Sequence, residues 1–187
     1  MVLSAWLAFI SATSGGAPAR AGESFENVTT AVAVLRPTKG NGAEGIVVFS
    51  PTDGGVELSV RIWGLPSGTR HGFHVHEFGD CSAPDATSAG EHYDPTMNLP
   101  GMHHHGMRPL GDLEDLAAGQ DGKVEIRFKA PGLTVAGAKN AILGRGLVLH
   151  ASFDNPNDPM SSSGARIACG TIGVYSGKPD AAGDAKK

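Results

Sequence analysis

The sequence predicts an all-β domain of antiparallel strands, on three observations. Glycine and proline are frequent, 27 and 12 of 187 residues, which signals many turns rather than long helices. Short stretches alternate apolar and polar residues with period two, the mark of half-buried strands. Turn-forming clusters separate these stretches at the spacing of a sandwich or barrel.

The elements follow in order. Residues 26–36 (ENVTTAVAVLR) carry the β-branched content and alternation of a strand, and 37–42 (PTKGNG) read as a turn. Residues 45–50 (GIVVFS) form the next strand, closed by PTDGG. In residues 56–63 (VELSVRIW), Val56, Leu58, Val60 and Ile62 share one face, with Glu57, Ser59 and Arg61 on the other. A turn (GLPSGTR) leads into residues 71–82, HGFHVHEFGDCS. Residues 122–130 (GKVEIRFKA), 147–150 (LVLH) and 167–174 (IACGTIGV) are the later strands, and 154–164 (DNPNDPMSSSG) form a polar loop. Residues 176–187 read as a frayed tail.

Between Cys81 and Leu116 the period is lost, with Pro84, Gly90, Pro95, Pro100 and Pro109 among the residues that interrupt it. A loop of this length in a compact domain is usually functional, and it needs an anchor other than a ladder. It holds four of the eight histidines, so metal ligation is the natural anchor.

His74 and His76 lie two apart on a strand, so both rings point to one face while Phe73 and Val75 take the other. Two imidazoles side by side on a rigid strand form half of a nitrogen-rich site that suits copper or zinc. Such a pair alone reads more often as two polar outward residues. The distribution decides between the two: the histidines stand at 71, 74, 76, 92, 103, 104, 105 and 150, with none in the first 70 residues or the last 37.

Charge narrows the partners. Fifteen Lys and Arg against 19 Asp and Glu give a net charge of −4, and no Lys/Arg run exceeds two residues. Nucleic acid is excluded, because phosphate backbones are held by clustered positive charge. A small anion can still be drawn in by a local positive patch.

Residues 1–21 read as a secretory signal segment. VLSAWLAFISA is a short apolar run, and Ala19-Arg20-Ala21 resembles a cleavage site, although no Lys or Arg precedes the run. A buried N-terminal helix is the alternative. The run is too short to span a bilayer, so export to a periplasm or to extracellular fluid is expected, without membrane insertion after cleavage. In an exported chain Cys81 and Cys169, 88 residues apart, should pair; two buried free thiols are the alternative.

Five motifs then occur in a telling order: HGFHVHEFGDCS, GEHYDP (90–95), GDL (111–113), GRGLVLH (144–150) and GARIACGTIGV (164–174). Together they resemble the copper/zinc superoxide dismutase family, in an exported bacterial-type form with an atypical zinc site. The likeness runs from near residue 26 to Tyr175, within a domain of residues 22–175. It implies an eight-stranded antiparallel Greek-key β-barrel or sandwich with two long functional loops. It also implies copper ligation by His74, His76, His92 and His150. His71 would brace the site without binding metal, and Arg166 would flank the copper and attract superoxide. Cys169 would be the disulfide partner of Cys81, and Asp154 would link the two metal sites through hydrogen bonds. Glu77 and Asp80 are structural on this reading. His92 would bridge copper and zinc and act as a proton donor.

The zinc site departs from the family pattern. Counting from His92 leads to Pro100 and Pro109, which cannot ligate, and then to Asp112, which can. Two of His103, His104 and His105 could complete a tetrahedral site with His92 and Asp112. Alternatively the enzyme holds copper only, with these histidines and Met97, Met102 and Met107 gathering Cu(I). A solvated run without metal is the bland alternative. The loop after His150 is also short for the family, which leaves copper more open. The expected activity is dismutation of superoxide to oxygen and hydrogen peroxide, with copper as cofactor and zinc as a second candidate. The resemblance also admits a homodimer and a copper donor as partners. A non-catalytic copper-handling protein on the same barrel is the rival, and a decayed structural domain is disfavoured by four intact copper ligands.

Overall fold

The computed structural model describes residues 25, 28–95, 109–153 and 163–177. The signal segment, Met97, Pro100, Met102, His103, His104, His105, Met107, Asp154 and the tail from residue 178 lie outside the described residues.

Nine strands are present among the described residues: β1 (Ala31–Pro37), β2 (Glu44–Thr52), β3 (Gly55–Trp63), β4 (Arg70–His71), β5 (Phe73–His76), β6 (Leu116–Ala117), β7 (Val124–Pro131), β8 (Gly146–His150) and β9 (Arg166–Val174). Seven form one sheet in the order β5-β8-β9-β1-β2-β3-β7, and β4 pairs with β6. Every pairing is antiparallel. Only Gly72 separates β4 from β5, so the two make one bent strand, and Gly119 N donates to Lys123 O in the turn from β6 to β7. Counted in this way there are eight strands. The crossover from β3 to β5, which are not neighbours, gives the Greek-key path.

The first strand begins at Ala31, later than the alternation suggests. Ala31 pairs with Val174, where β9 ends, and beyond it Tyr175 N donates to Thr30 O at 3.1 Å as the last backbone bond between the two segments among the described residues. The expected alternation of β3 holds: Val56, Leu58, Val60 and Ile62 are all buried. They meet Ala33 and Leu35 of β1, Val47 and Phe49 of β2, Phe73 and Val75 of β5, and Leu147 and Leu149 of β8 in one core. Burying an aliphatic or aromatic side chain of this size stabilises by roughly 1.5–3 kcal/mol.

β5 and β8 differ from the other strands because all of their residues are buried. One face of each meets the core. The other face is covered by the loop after β5, where Ala86 and Ala89 pack on Val148 and Cys169. That loop is tied down by more than metal ligands, contrary to the expectation from its lost periodicity. Val75 N donates to Gly111 O, Tyr93 N to Val75 O, Gly111 N to Tyr93 O and Leu113 N to Phe73 O. Both ends of the long segment thus dock on the open edge of β5. Isolated pairings of this kind leave no alternating pattern in a sequence.

Cys81 and Cys169 form the expected disulfide, with Cα atoms 5.8 Å apart, joining the loop to β9. Gly90 turns the loop with φ of 76°, and a Cβ there would lie 2.7 Å from Phe78 Cδ2, so only glycine fits. Replacing both cysteines by serine removes a cross-link that closes an 88-residue span. It should lower stability by about 2–5 kcal/mol, read as a shift of the urea midpoint against the oxidised wild type.

Candidate metal centre

The strand period places His74 and His76 on one face of β5, opposite Phe73 and Val75, and both rings are buried. His150 ends β8, the neighbour of β5, where the β8–β9 register shifts between Leu149 and His150. His92 reaches the group because its backbone bridges His76 across the open edge of β5. The four rings offer nitrogen atoms that all lie within 4.8 Å of one another.

Hydrogen bonds set which nitrogen each ring offers. His76 Nδ1 lies 3.0 Å from Gly90 O, and His150 Nδ1 lies 3.2 Å from Gly164 O. A carbonyl can only accept, so each Nδ1 carries the proton and each Nε2 keeps its lone pair. Those two Nε2 atoms lie 3.4 Å apart. An ion with metal–nitrogen bonds of about 2.0–2.1 Å fits such a separation, and four imidazoles suit a copper couple. The donor set fits copper.

Burial dominates the acid–base behaviour. It pushes His76 down from 6.5 to about 2, with the charges of His92, Arg166 and His150 acting in the same direction and the Gly90 carbonyl opposing. Burial likewise pushes His150 down to about 3, helped by His74, His92 and Arg166 and opposed by the Gly164 carbonyl. Both rings are therefore neutral at physiological pH, the state a metal ligand needs.

The surrounding residues fall into place by contact. His71, buried, has Nδ1 2.7 Å from His150 O and Nε2 2.7 Å from Thr69 Oγ1. Arg166 donates from Nη1 to Ala86 O and from Nη2 to Gly90 O, both at 2.7 Å. The Gly90 carbonyl thus serves His76 and Arg166 together. Glu77 Oε2 accepts from Glu91 N at 3.2 Å, and Asp80 Oδ1 from Ser82 N at 2.8 Å. Arg145 is a residue the sequence reading passed over, although it lies within GRGLVLH. Its Nη1 donates to Glu77 O at 3.0 Å and its guanidinium lies 3.5 Å from the Tyr93 ring centroid. It therefore links the residues that follow His76 and His92.

Comparison with known proteins now bears on this cluster. Residues 43–172 match the family model described as copper/zinc superoxide dismutase. The chain belongs to the copper/zinc superoxide dismutase family. A superoxide dismutase [Cu-Zn] of Schizosaccharomyces pombe is 35% identical over 153 residues, 77% of this chain and 97% of the relative. The extracellular superoxide dismutase [Cu-Zn] of Onchocerca volvulus is 34% identical over 156 residues, 77% of this chain and 75% of the relative. That of Drosophila melanogaster is 36% identical over 140 residues, 70% of this chain and 76% of the relative.

For the family's second metal, the described residues hold two donors, His92 Nδ1 and Asp112 Oδ1, in direct contact at 2.7 Å. His103, His104 and His105 lie outside the described residues, and so does Asp154. Asp112 is placed by its own backbone bridge to His74.

The two depressed imidazoles predict a pH dependence for the metal-free protein. The unfolded chain takes up protons at these histidines below about 6.5, and the folded chain only near 2–3. Unfolding therefore binds protons in that window, and stability falls as pH drops through it, by about 1.4 kcal/mol per pH unit for each ring. Denaturation at a series of pH values should show this slope, and His76→Gln with His150→Gln should flatten it.

Proposed function

We infer that this protein dismutes superoxide at a copper centre held by His74, His76, His92 and His150. The observation that carries the reading is the convergence of these four imidazoles beside Arg166 in a member of this family. Bound copper would supply a one-electron Cu(II)/Cu(I) couple that oxidises one superoxide to oxygen and reduces a second, which leaves with two protons as hydrogen peroxide.

The chain's own residues prepare that chemistry. Arg166 is held by two carbonyls, so its charge stands at a fixed place where an anion approaches. His71, hydrogen-bonded to the His150 backbone, fixes the end of β8. Asp112 accepts from His92 Nδ1, which orients the ring and raises the basicity of its other nitrogen. In a zinc-containing form His92 would take a proton at that nitrogen when it leaves copper and pass it to the reduced substrate, whereas in a copper-only form it would stay a ligand and solvent would supply both protons.

The Asp112–His92 contact gives His92 one of two roles towards the second metal. With Asp112 and two of His103, His104 and His105, His92 would hold zinc; with Asp112 alone, it is a carboxylate-oriented copper ligand. Export is supported by the Cys81–Cys169 disulfide, which persists in oxidising compartments, and by the extracellular relatives.

Elemental analysis of protein expressed with both metals, beside a dismutase assay, tests the reading. Copper with activity is expected, and the zinc content then distinguishes a bridging His92 from a simple ligand. Copper without activity would overturn the enzyme and favour a copper-handling protein. Arg166→Ala should lower the second-order rate about tenfold with copper content unchanged, whereas Arg166→Lys keeps the charge and should lose less.

A further inference from the structure

We propose that Arg145 is a positioning residue of the metal centre, one that sets the place of His92 relative to His76 and His150. The inference rests on reading the four histidines as a copper site. Those ligands come from three separate segments: His74 and His76 from β5, His150 from β8 and His92 from the loop. His92 is the least enclosed of them, with 28% of its side chain exposed, whereas the other three residues are buried. Its position is therefore the one least constrained by packing.

Arg145 touches all three segments. Its backbone runs directly into β8 and is held there, with Arg145 N donating to Ile142 O at 3.0 Å and Ile172 N donating to Arg145 O at 2.8 Å. Gly146 pairs with His76, so the residue after His76 passes opposite Arg145. A Cβ on Gly146 would lie 2.6 Å from Phe78 O, and glycine lets the chain after His76 come this close. From here Arg145 Nη1 donates to Glu77 O at 3.0 Å, while Nε donates to Ala141 O at 2.8 Å and fixes the side chain. The guanidinium then lies 3.5 Å from the ring centroid of Tyr93, which is buried.

A cation over an aromatic face is attracted by the ring, so this contact draws in residue 93 as the Glu77 bond draws in residue 77. Those two residues stand immediately after His92 and His76. The segments that carry them are joined by isolated backbone bonds, Tyr93 N to Val75 O at 2.8 Å and Glu77 N to Glu91 O at 3.0 Å. Asp112 turns the His92 ring through Nδ1. Arg145 acts on the other variable, the place of the His92 backbone. Together they hold the His76 and His92 rings with centroids 4.9 Å apart and planes at 75°.

The test compares wild type with Arg145→Gln, Arg145→Lys, Tyr93→Leu and Tyr93→Phe. Val56→Ala, in the buried face of β3, which carries no ligand, shows what lost stability alone does. Cu(II) affinity would be measured on the full metal-free chain by competition with a chelator, and the electron paramagnetic resonance spectrum on the copper-loaded protein. Arg145→Gln and Tyr93→Leu should each bind Cu(II) about tenfold more weakly, with altered copper hyperfine splitting. Combining them should weaken binding no further than Arg145→Gln alone, because both remove the same contact. Tyr93→Phe keeps the ring face and should match wild type, as should Val56→Ala despite a lower urea midpoint. Arg145→Lys keeps the charge but not both donors and should fall between. Should Arg145→Gln fail to fold, Arg145→Lys and Tyr93→Leu carry the same comparison. Wild-type affinity and spectrum in these variants would overturn the proposal. So would an equal loss in Val56→Ala, which would reduce the role to stability, or additive losses in the double variant. Copper bound without dismutase activity would sink the enzyme reading alone, because affinity and spectrum still report on Arg145. Wild type that binds no copper at this cluster would overturn both.

Discussion

β5 is buried on both faces, and the arrangement of the site depends on that constraint. Phe73 and Val75 pack into the barrel core, while His74 and His76 point out of it into a second enclosed space. Two imidazoles cannot be buried cheaply unless their polar atoms are satisfied. The segments that close over β5 meet this need, for they bring the Gly90 carbonyl to His76 and carry His92 and Asp112. The same packing that stabilises the barrel therefore assembles the metal centre.

The covering segments have little regular structure, and their order comes from several unlike contacts. A disulfide joins Cys81 to β9, and Thr171 Oγ1 donates to Gly79 O at 2.5 Å. Backbone bridges hold His92 and Asp112 to β5, and Arg145 ties Glu77 to Tyr93. Arg166 bonds two carbonyls of the same loop, so the residue proposed to meet superoxide also fastens the cover of the metal cluster. Removing it loses charge and order together, which is why a lysine separates the two effects.

Electrostatics acts at two ranges. Close in, desolvation keeps His76 and His150 neutral and ready to ligate. Further out, a protein of net charge −4 must admit an anion, so a fixed positive charge beside the site offsets the total. Arg166, held by hydrogen bonds to Ala86 O and Gly90 O, is the group proposed to supply that charge.

Much of this protein was legible in its sequence. The all-β class, the inward face of β3 and the placement of His74 and His76 on one side of a strand follow from local periodicity and composition. The five ordered motifs carry the family. Those signals are readable because neighbouring residues alone produce them. Tertiary structure decided what depends on residues far apart in the chain. The docking of the long loop on the edge of β5, the shared Gly90 carbonyl and the Arg145–Tyr93 contact each join separate segments. Isolated bridges and side-chain-to-carbonyl bonds impose no period on a sequence, so only the folded chain could reveal them.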